Sequence, residues 1–299
     1  MPKLYAYLCG GMGNQMFQYA MARSLGLKSN CELVLDTWSG FVRDVEYHRH
    51  YELHALPIQA RIANSWELPP IWLYRIDQRI RGQIKGNNLK ENYCYGQFLI
   101  ETEFKYLGQV KKTFIGSSTW LVGYWQSPLY FQEYTNILLK ELMPKLPSEN
   151  KFLSLGEKLR QVESVAVGVR LYEESKNPSI HARYGRLKTT EDINLAISQL
   201  SSQCPNAEFF VFCTHRSPLL ERLDLPQNTV FVTHDEGYKG TLETLWLLSQ
   251  CRHHLFTNSS YYWWGAWLSQ QLYSGSGQVI FAADNFINSD GLCDGWVRF

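Results

Sequence analysis

The sequence contains no CxxC pair, no DxD, no HExxH, no GxxxxGK[ST] and no GxSxG. Without clustered carboxylates or His and Cys at ligand spacing, it offers no Mg²⁺, Mn²⁺ or zinc site of the common kinds, and no metal ligand is assigned. The common phosphate loop and the hydrolase nucleophile elbow are excluded by the same reading. Seven scattered cysteines (Cys9, Cys31, Cys94, Cys204, Cys213, Cys251, Cys293) are odd in number. They do not form the framework of a small secreted domain. Most sit in apolar runs, where a free thiol behaves as a small hydrophobe, so a reducing, cytoplasmic location is expected.

A surplus of one charge is also missing. Lys plus Arg is 29 and Asp plus Glu is 28, for a net charge of +1, so the general basic excess of a nucleic-acid binder is absent. Only 19% of residues are charged against 45% hydrophobic, which argues for a packed core and against disorder. One long stretch, 254–283, lacks Asp, Glu, Lys and Arg. It is interrupted by Asn258, Ser259, Ser260, Gln270, Gln271 and several glycines, so it fails as a membrane span. The opening MPKLYAYLCGG breaks into glycine too early for a signal peptide. A soluble protein is expected.

What is present is aromatic: 10 Trp, 18 Tyr and 15 Phe, suited to sugar or base stacking and equally to core packing. The length of 299 residues is a soft prior for two domains, at roughly 150 residues each. Short apolar runs alternate with helical patterns: strand 3–9, helix 15–28, strand 32–36. The segment 38–112 has no clean period and is expected to be loosely helical. A strand follows at 119–124, then a helix after Ser127-Pro128 to about residue 143. PKLPSEN at 144–150 is the best linker, dividing the chain into domains 1–148 and 149–299. Beyond it the pattern predicts strands at 164–169, 208–213, 229–233, 254–257 and 278–282. Helices are predicted at 190–203, 218–223, 241–251 and 260–272, and Thr189 and Asp192 are spaced as a capping box. Strands joined this regularly by helices imply parallel, helix-covered sheets: an α/β protein of two Rossmann-like halves with a cleft between them.

Three stretches carry chemistry. Gly10-Gly11-Met12-Gly13-Asn14-Gln15 lies between a strand and a helix, where glycines permit positive φ and the helix start attracts anions or hydroxyls. Its spacing is GGxG, not GxGxxG, and a plain tight turn is an equal reading. VAVGVRLYEE at 165–174 ends a strand in Arg170, with Glu173 and Glu174 following. At the carboxyl edge of a parallel sheet, an arginine can hold a phosphate bidentately and a glutamate can take a hydroxyl proton. A structural ion pair among the three is the competing reading. Thr257-Asn258-Ser259-Ser260 opens a helix with hydroxyls, an amide and free N–H groups, an anion site without a metal. Trp263, Trp264 and Trp267 behind it are spaced to fill core, and Gly265 would let that helix approach the sheet. His48, His50, His253 and His254 lack companion ligands and read as surface or hydrogen-bonded histidines.

Together these stretches resemble the bacterial α-1,2-fucosyltransferases of glycosyltransferase family 11. The resemblance rests on GGMGNQMFQYA at the start, HRHYEL at 48–53, LVGYWQSPLYF at 121–131 and LLSQCRHHLFTNSSYYWWGAWLS at 247–269. It spans nearly the whole chain in the family's order.

The resemblance implies a GT-B fold, two Rossmann-like domains facing a central cleft. The N-terminal domain would take a galactose-terminated oligosaccharide acceptor and the C-terminal domain GDP-fucose. It implies inverting, metal-independent transfer of L-fucose to a galactose 2-hydroxyl, with no cofactor, since GDP-fucose is a substrate. Related fucosyltransferases carry an H-x-R element, which here is Gly168-Val169-Arg170; Leu171 and Glu173 stand where a second arginine and an aspartate are usual. Gly168, Arg170, Asn258, Ser259 and Ser260 are thus expected at the donor, and Asn14, Gln15, His48 and Arg49 at the acceptor. Arg170 would stabilise the departing diphosphate, and Glu173 or Glu174 would remove the proton. In a loose transition state Asn14 or Gln15 would only orient the hydroxyl. Peripheral membrane association is compatible with lipid-linked acceptors, and no nucleic-acid partner is expected. A non-catalytic sugar or nucleotide-binding module on the same fold is the main alternative. A dinucleotide oxidoreductase is disfavoured by the missing third glycine.

Overall fold

A computed structural model of the chain describes residues 1–42, 44–45, 47–68, 90–93, 96–169, 188–218, 220–273, 275–286 and 288–299. The chain divides into two units, one of Met1–Leu142 with Asn288–Gly291 and one of Met143–Ile287 with Leu292–Phe299. The division thus falls just ahead of the proline-bearing stretch 144–150.

The first unit opens with β1 (Lys3–Tyr7), α1 (Met12–Ser29) and β2 (Glu32–Asp36), the strand–helix–strand order expected from the apolar runs. It continues with β3 (Arg61–Ile62), β4 (Lys90–Tyr93), β5 (Gly96–Ile100), the short α2 (Gly108–Lys112), β6 (Thr119–Val122) and α3 (Thr135–Leu142). The sheet order is β3-β2-β1-β6-β5-β4. It is parallel except for the β4–β5 hairpin. The described part of 38–112 is therefore not mainly helical. Its strand β5 is paired with β6 and packs Phe98 and Ile100 against Trp120 and Val122. Five residues opened by glycine give too short a window for the period-2 signal to stand out.

One face of this sheet is aromatic. Tyr5 stacks on Trp120 with centroids 4.2 Å apart and planes 9° apart. α1 is buried around most of its circumference. It is tied to α3 by Glu141, which accepts from the Tyr19 hydroxyl at 2.5 Å and from Arg23 Nη2 at 2.8 Å. Residues 288–291 belong to this unit through Ser127 Oγ, which donates to the Asp290 carbonyl at 2.8 Å, and Tyr106 N–H, which donates to Asp290 Oδ2 at 2.9 Å.

The second unit contains α4 (Asn150–Gln161), β7 (Ser164–Gly168), α5 (Thr190–Gln203), β8 (Glu208–Phe212), β9 (Val230–Val232), α6 (Thr241–Gln250), β10 (His253–Phe256), α7 (Ser260–Leu272), β11 (Ile280–Ala282) and β12 (Val297–Arg298). Its sheet, β12-β11-β10-β7-β8-β9, is parallel throughout. Successive side chains of a strand point to opposite faces, and both faces here are covered. Val165 and Val167 join Phe209 and Val211 beneath α5, whose Ile193, Ala196, Ile197 and Leu200 form a helical stripe. Ala166, Phe210 and Phe212 meet α4 and α6 on the other face. The Thr189–Asp192 capping box forms, with N–H to oxygen distances of 3.0 and 3.2 Å.

Trp263 and Trp264 are fully buried and Trp267 nearly so, as their spacing requires. Gly265 serves a different neighbour from the one expected. A Cβ there would lie 2.7 Å from Leu248 of α6, so the glycine permits close helix–helix approach rather than helix–sheet approach. His253 and His254 are both buried; neither is a surface residue. Burial pushes His254 down to about 3, and its Nε2 lies 3.2 Å from the Cys251 carbonyl. Among the described residues no helix is long and apolar enough to cross a membrane.

Candidate functional site

In the first unit the glycine-rich turn leaves β1 and starts α1. Gly10 has φ +73°, a left-handed conformation that favours glycine. Gly11 is the N-cap of α1, without a side-chain cap and with no acidic residue in the first turn. The positive end of α1 therefore carries no built-in counter-charge from its own sequence. Gln15 is fully buried. Its Nε2 donates to the carbonyls of Gly10 (2.9 Å) and His50 (2.8 Å), and its Oε1 accepts from Glu52 N–H at 2.9 Å. Gln15 thus clamps the glycine turn to the HRHYEL segment.

That segment is shaped by Asp44, whose carboxylate accepts from Tyr47 N–H at 3.0 Å and Arg49 N–H at 3.2 Å. His48 takes φ +50°. The Arg49 guanidinium carbon lies 3.7 Å from the position a Gly11 Cβ would take, which brings a cation to the helix start. His48 and Arg49 are exposed. Glu52 is half-buried, and burial raises its carboxyl above the ordinary value, opposed by His50, Arg49, the Met12 backbone hydrogen bond and His54. Sequence reasoning overlooked Glu52, although it sits inside the HRHYEL block.

A third strand end reaches the same turn. After β6 the chain runs Gly123-Tyr124-Trp125-Gln126-Ser127, with Trp125 at φ +56°. Buried Glu101, just past β5, holds this bend by accepting from Tyr124 N–H at 2.7 Å and Trp125 N–H at 3.1 Å. Gln126, 5% exposed, then donates from Nε2 to Asn14 Oδ1 at 2.7 Å. Among the described residues its own Oε1 is buried without a partner. Asp36, at the end of β2, is a turn former: its Oδ1 accepts from Trp38 and Ser39 N–H at 3.1 and 2.9 Å.

In the second unit β7 and β10 are neighbours, with Gly168 opposite Phe256. Thr257 N–H donates to the Gly168 carbonyl at 3.0 Å. The carboxyl ends of these parallel strands therefore place Gly168 beside Asn258-Ser259-Ser260. Ser259 caps α7 by accepting from Tyr262 N–H, and α7 has no acidic residue in its first turn. Asn258 and Ser259 are each 6% exposed. Arg170, Glu173 and Glu174 lie outside the described residues.

One cluster among the described residues has the composition of a metal site: Glu163, Cys204 and His253. It sits at the amino ends of β7 and β10, at the far edge from Gly168. Val279 N–H donates to His253 Nδ1 at 3.0 Å, and Nε2 faces Glu163 Oε1 at 3.3 Å. A neutral imidazole whose Nδ1 accepts carries its proton on Nε2. A cation at Nε2 would then require an imidazolate, so the cluster is a hydrogen-bonded buttress.

Two parallel-sheet Rossmann-like units, each presenting a helix start at the carboxyl edge of its strands, define an α/β glycosyltransferase fold of the GT-B type. Residues 4–293 match glycosyl transferase family 11, and the chain belongs to that family. It is similar to an alpha-1,2-colitosyltransferase of Escherichia coli, 28% identical over 88% of this chain and 86% of that protein. It is also similar to the O-antigen biosynthesis glycosyltransferase WbnK of Escherichia coli, 24% identical over 95% of this chain and all of that protein. The crystal structure of the alpha-1,6-fucosyltransferase NodZ soaked with GDP-fucose has a like fold, with a TM-score of 0.50 at 14% identity over 89% of this chain and 92% of that one.

Proposed function

We propose that this glycosyltransferase moves L-fucose from GDP-β-L-fucose to the 2-hydroxyl of a terminal galactose, with inversion, forming an α-1,2 linkage without a metal ion. The observation that carries the reading is the Asn258-Ser259-Ser260 start of α7, set beside Gly168 on the strand edge from which the chain runs on to Arg170. The diphosphate would lie against this helix start, where N–H groups and the dipole favour negative charge. As the bond to the anomeric carbon loosens, charge builds on the diphosphate, and Arg170 would stabilise it there. The acceptor would be held in the first unit at the start of α1, by Asn14, His48 and Arg49, with Gln15 positioning the loops. Glu173 and Glu174 follow Arg170 in the sequence and are candidates for the hydroxyl proton. The six described cysteines are free, which favours a cytoplasmic reaction. Likeness to an O-antigen biosynthesis enzyme favours an oligosaccharide of that kind as acceptor, and peripheral membrane association would bring a lipid-linked one within reach.

A second reading has its own support. Similarity to an alpha-1,2-colitosyltransferase favours colitose as the transferred sugar, with the same linkage. A donor and acceptor screen tests both: GDP-fucose, nucleotide-activated colitose and other sugar nucleotides against lactose, N-acetyllactosamine and type 1 chains, with linkage by NMR and EDTA in parallel. Fucose on a galactose 2-hydroxyl, insensitive to EDTA, is the expected product. Exclusive use of colitose would replace the donor. Tight GDP-fucose binding with no turnover on any acceptor would favour the non-catalytic module.

A further inference from the structure

We propose that Asp235 selects the nucleobase of the donor, accepting the two adjacent N–H groups of a guanine. This rests on the glycosyl-transfer reading above and adds to it the residue that tells one nucleoside diphosphate from another. Every contact it uses lies within the second unit.

Asp235 stands just past β9 and His215 just past β8, on the carboxyl edge where open parallel sheets take their ligands. The two loops are joined through the backbone. Cys213 N–H donates to the Val232 carbonyl at 3.3 Å, and His234 N–H donates to the Thr214 carbonyl at 3.0 Å. His215 Nδ1 lies 3.0 Å from Asp235 Oδ1, and the His234 ring stands edge-on to His215 with centroids 5.8 Å apart. The carboxylate is therefore oriented by a ring that is itself packed in place.

Its charge is nonetheless left open. The neighbouring Glu236 is paired with Arg216 at 2.7 Å. Among the described residues Asp235 hydrogen-bonds His215 alone, and its side chain is 58% exposed. Oδ2 is thus available to a ligand.

Position along the edge decides which part of a ligand arrives there. The strand order β10-β7-β8-β9 sets the β8 and β9 loops two to three strands from the start of α7, or about 10–14 Å at about 4.8 Å per strand. An extended nucleoside diphosphate with its phosphates on that helix start brings its base to the same distance. Tyr262 lies along the path, its ring over Gly168 and its hydroxyl donating to the Phe212 carbonyl at 2.6 Å. An ionised carboxylate only accepts hydrogen bonds. Guanine offers N1–H and the 2-amino group side by side, so a carboxylate can take both as it takes the fork of a guanidinium. Adenine, cytosine and uracil each set a donor beside an acceptor, and that acceptor would face the lone pairs of Asp235.

Calorimetric titration with GDP, ADP and IDP, which lacks only the 2-amino group of GDP, tests the assignment. The wild-type protein is expected to bind GDP about tenfold or more tighter than IDP or ADP. In Asp235→Asn the affinity for GDP should fall by about tenfold or more, and GDP and IDP should come within about threefold of each other. Inorganic pyrophosphate binding and the melting temperature should match wild type, since the side chain is exposed and far from the diphosphate. An Asp235→Asn variant that keeps the wild-type preference for GDP over IDP, in a protein that transfers from GDP-fucose, would overturn the assignment alone. So would a variant in which GDP and pyrophosphate binding fall together with the melting temperature, which is the mark of a structural role. A wild-type protein that binds no nucleoside diphosphate and consumes no donor would sink the transfer reading and this assignment together.

Discussion

The ring of Tyr262 lies across Gly168. A Cβ added to Gly168 would come within 2.4 Å of the ring carbon Cγ, and the Tyr262 hydroxyl is anchored on the Phe212 carbonyl at 2.6 Å. The departure from an H-x-R triplet at 168–170 therefore has a steric basis. The volume a side chain at 168 would need is already filled by an aromatic from the first turn of α7.

Gly168→Ala should consequently destabilise the second unit by about 2 kcal/mol, the usual cost of overpacking a core. Much of that loss should be recovered in the Gly168→Ala, Tyr262→Leu double variant, since neighbours in contact are not additive. Urea unfolding of the four-member cycle measures it. Additive losses would show that the ring does not set the limit.

If Arg170 holds the donor diphosphate as proposed, Arg170→Ala should lower glycosyl transfer by about 100-fold or more, the effect of removing one donor from a developing oxyanion. The circular-dichroism spectrum and melting temperature should stay close to wild type. Turnover near the wild-type rate would remove Arg170 from the diphosphate.

Glu101 holds two backbone N–H groups at a bend where Trp125 is in the left-handed region. Glu101→Ala would leave both buried donors unmet beside a strained residue, at a cost of about 3 kcal/mol. The same change would loosen Gln126, so the KM for acceptor should rise more than that for donor. A loss of stability below about 1 kcal/mol would refute the bracing role.

At the β2–β3 edge, Arg61 and Lys3 lie 2.7 and 2.8 Å from the Glu67 carboxylate. Arg61 first, then Lys3, holds that carboxyl well below the ordinary range. With the folded pKa depressed, the contribution is fully present above the ordinary value of 4.5 and is lost as pH falls below it. Urea midpoints of wild type and Glu67→Gln should differ at pH 7 and converge as the pH is lowered below 4.5. A gap that stays constant over that window would exclude the linkage.

Much of the fold was legible along the chain because period and punctuation are local. The apolar run 32–36 is β2 to the residue, and the helix at 260–272 has the expected bounds. The helical stripe of α5 and its capping box follow directly from the spacing of their residues. The site was legible only in pieces. The glycine turn and the Asn-Ser-Ser helix start show in the sequence because backbone freedom and short hydroxyls concentrate there. Gln126 meets Asn14 across 112 positions, and no local pattern records that meeting. Glu52 and Gln15 are 37 apart.

By itself the sequence determined many of the strands and helices outside 38–112, the apolar faces of several of those helices, and the family to which the chain belongs. These follow from side-chain chemistry repeated at short range. Tertiary structure alone decided that Gly265 makes room for Leu248, that Tyr262 closes the space over Gly168, and that Glu52, Gln15, Asn14 and Gln126 converge on one helix start. The physical reason is that hydrophobic burial is non-directional and tolerates many partners. A hydrogen bond or a close contact is satisfied only by the particular atom that the chain's path brings within reach.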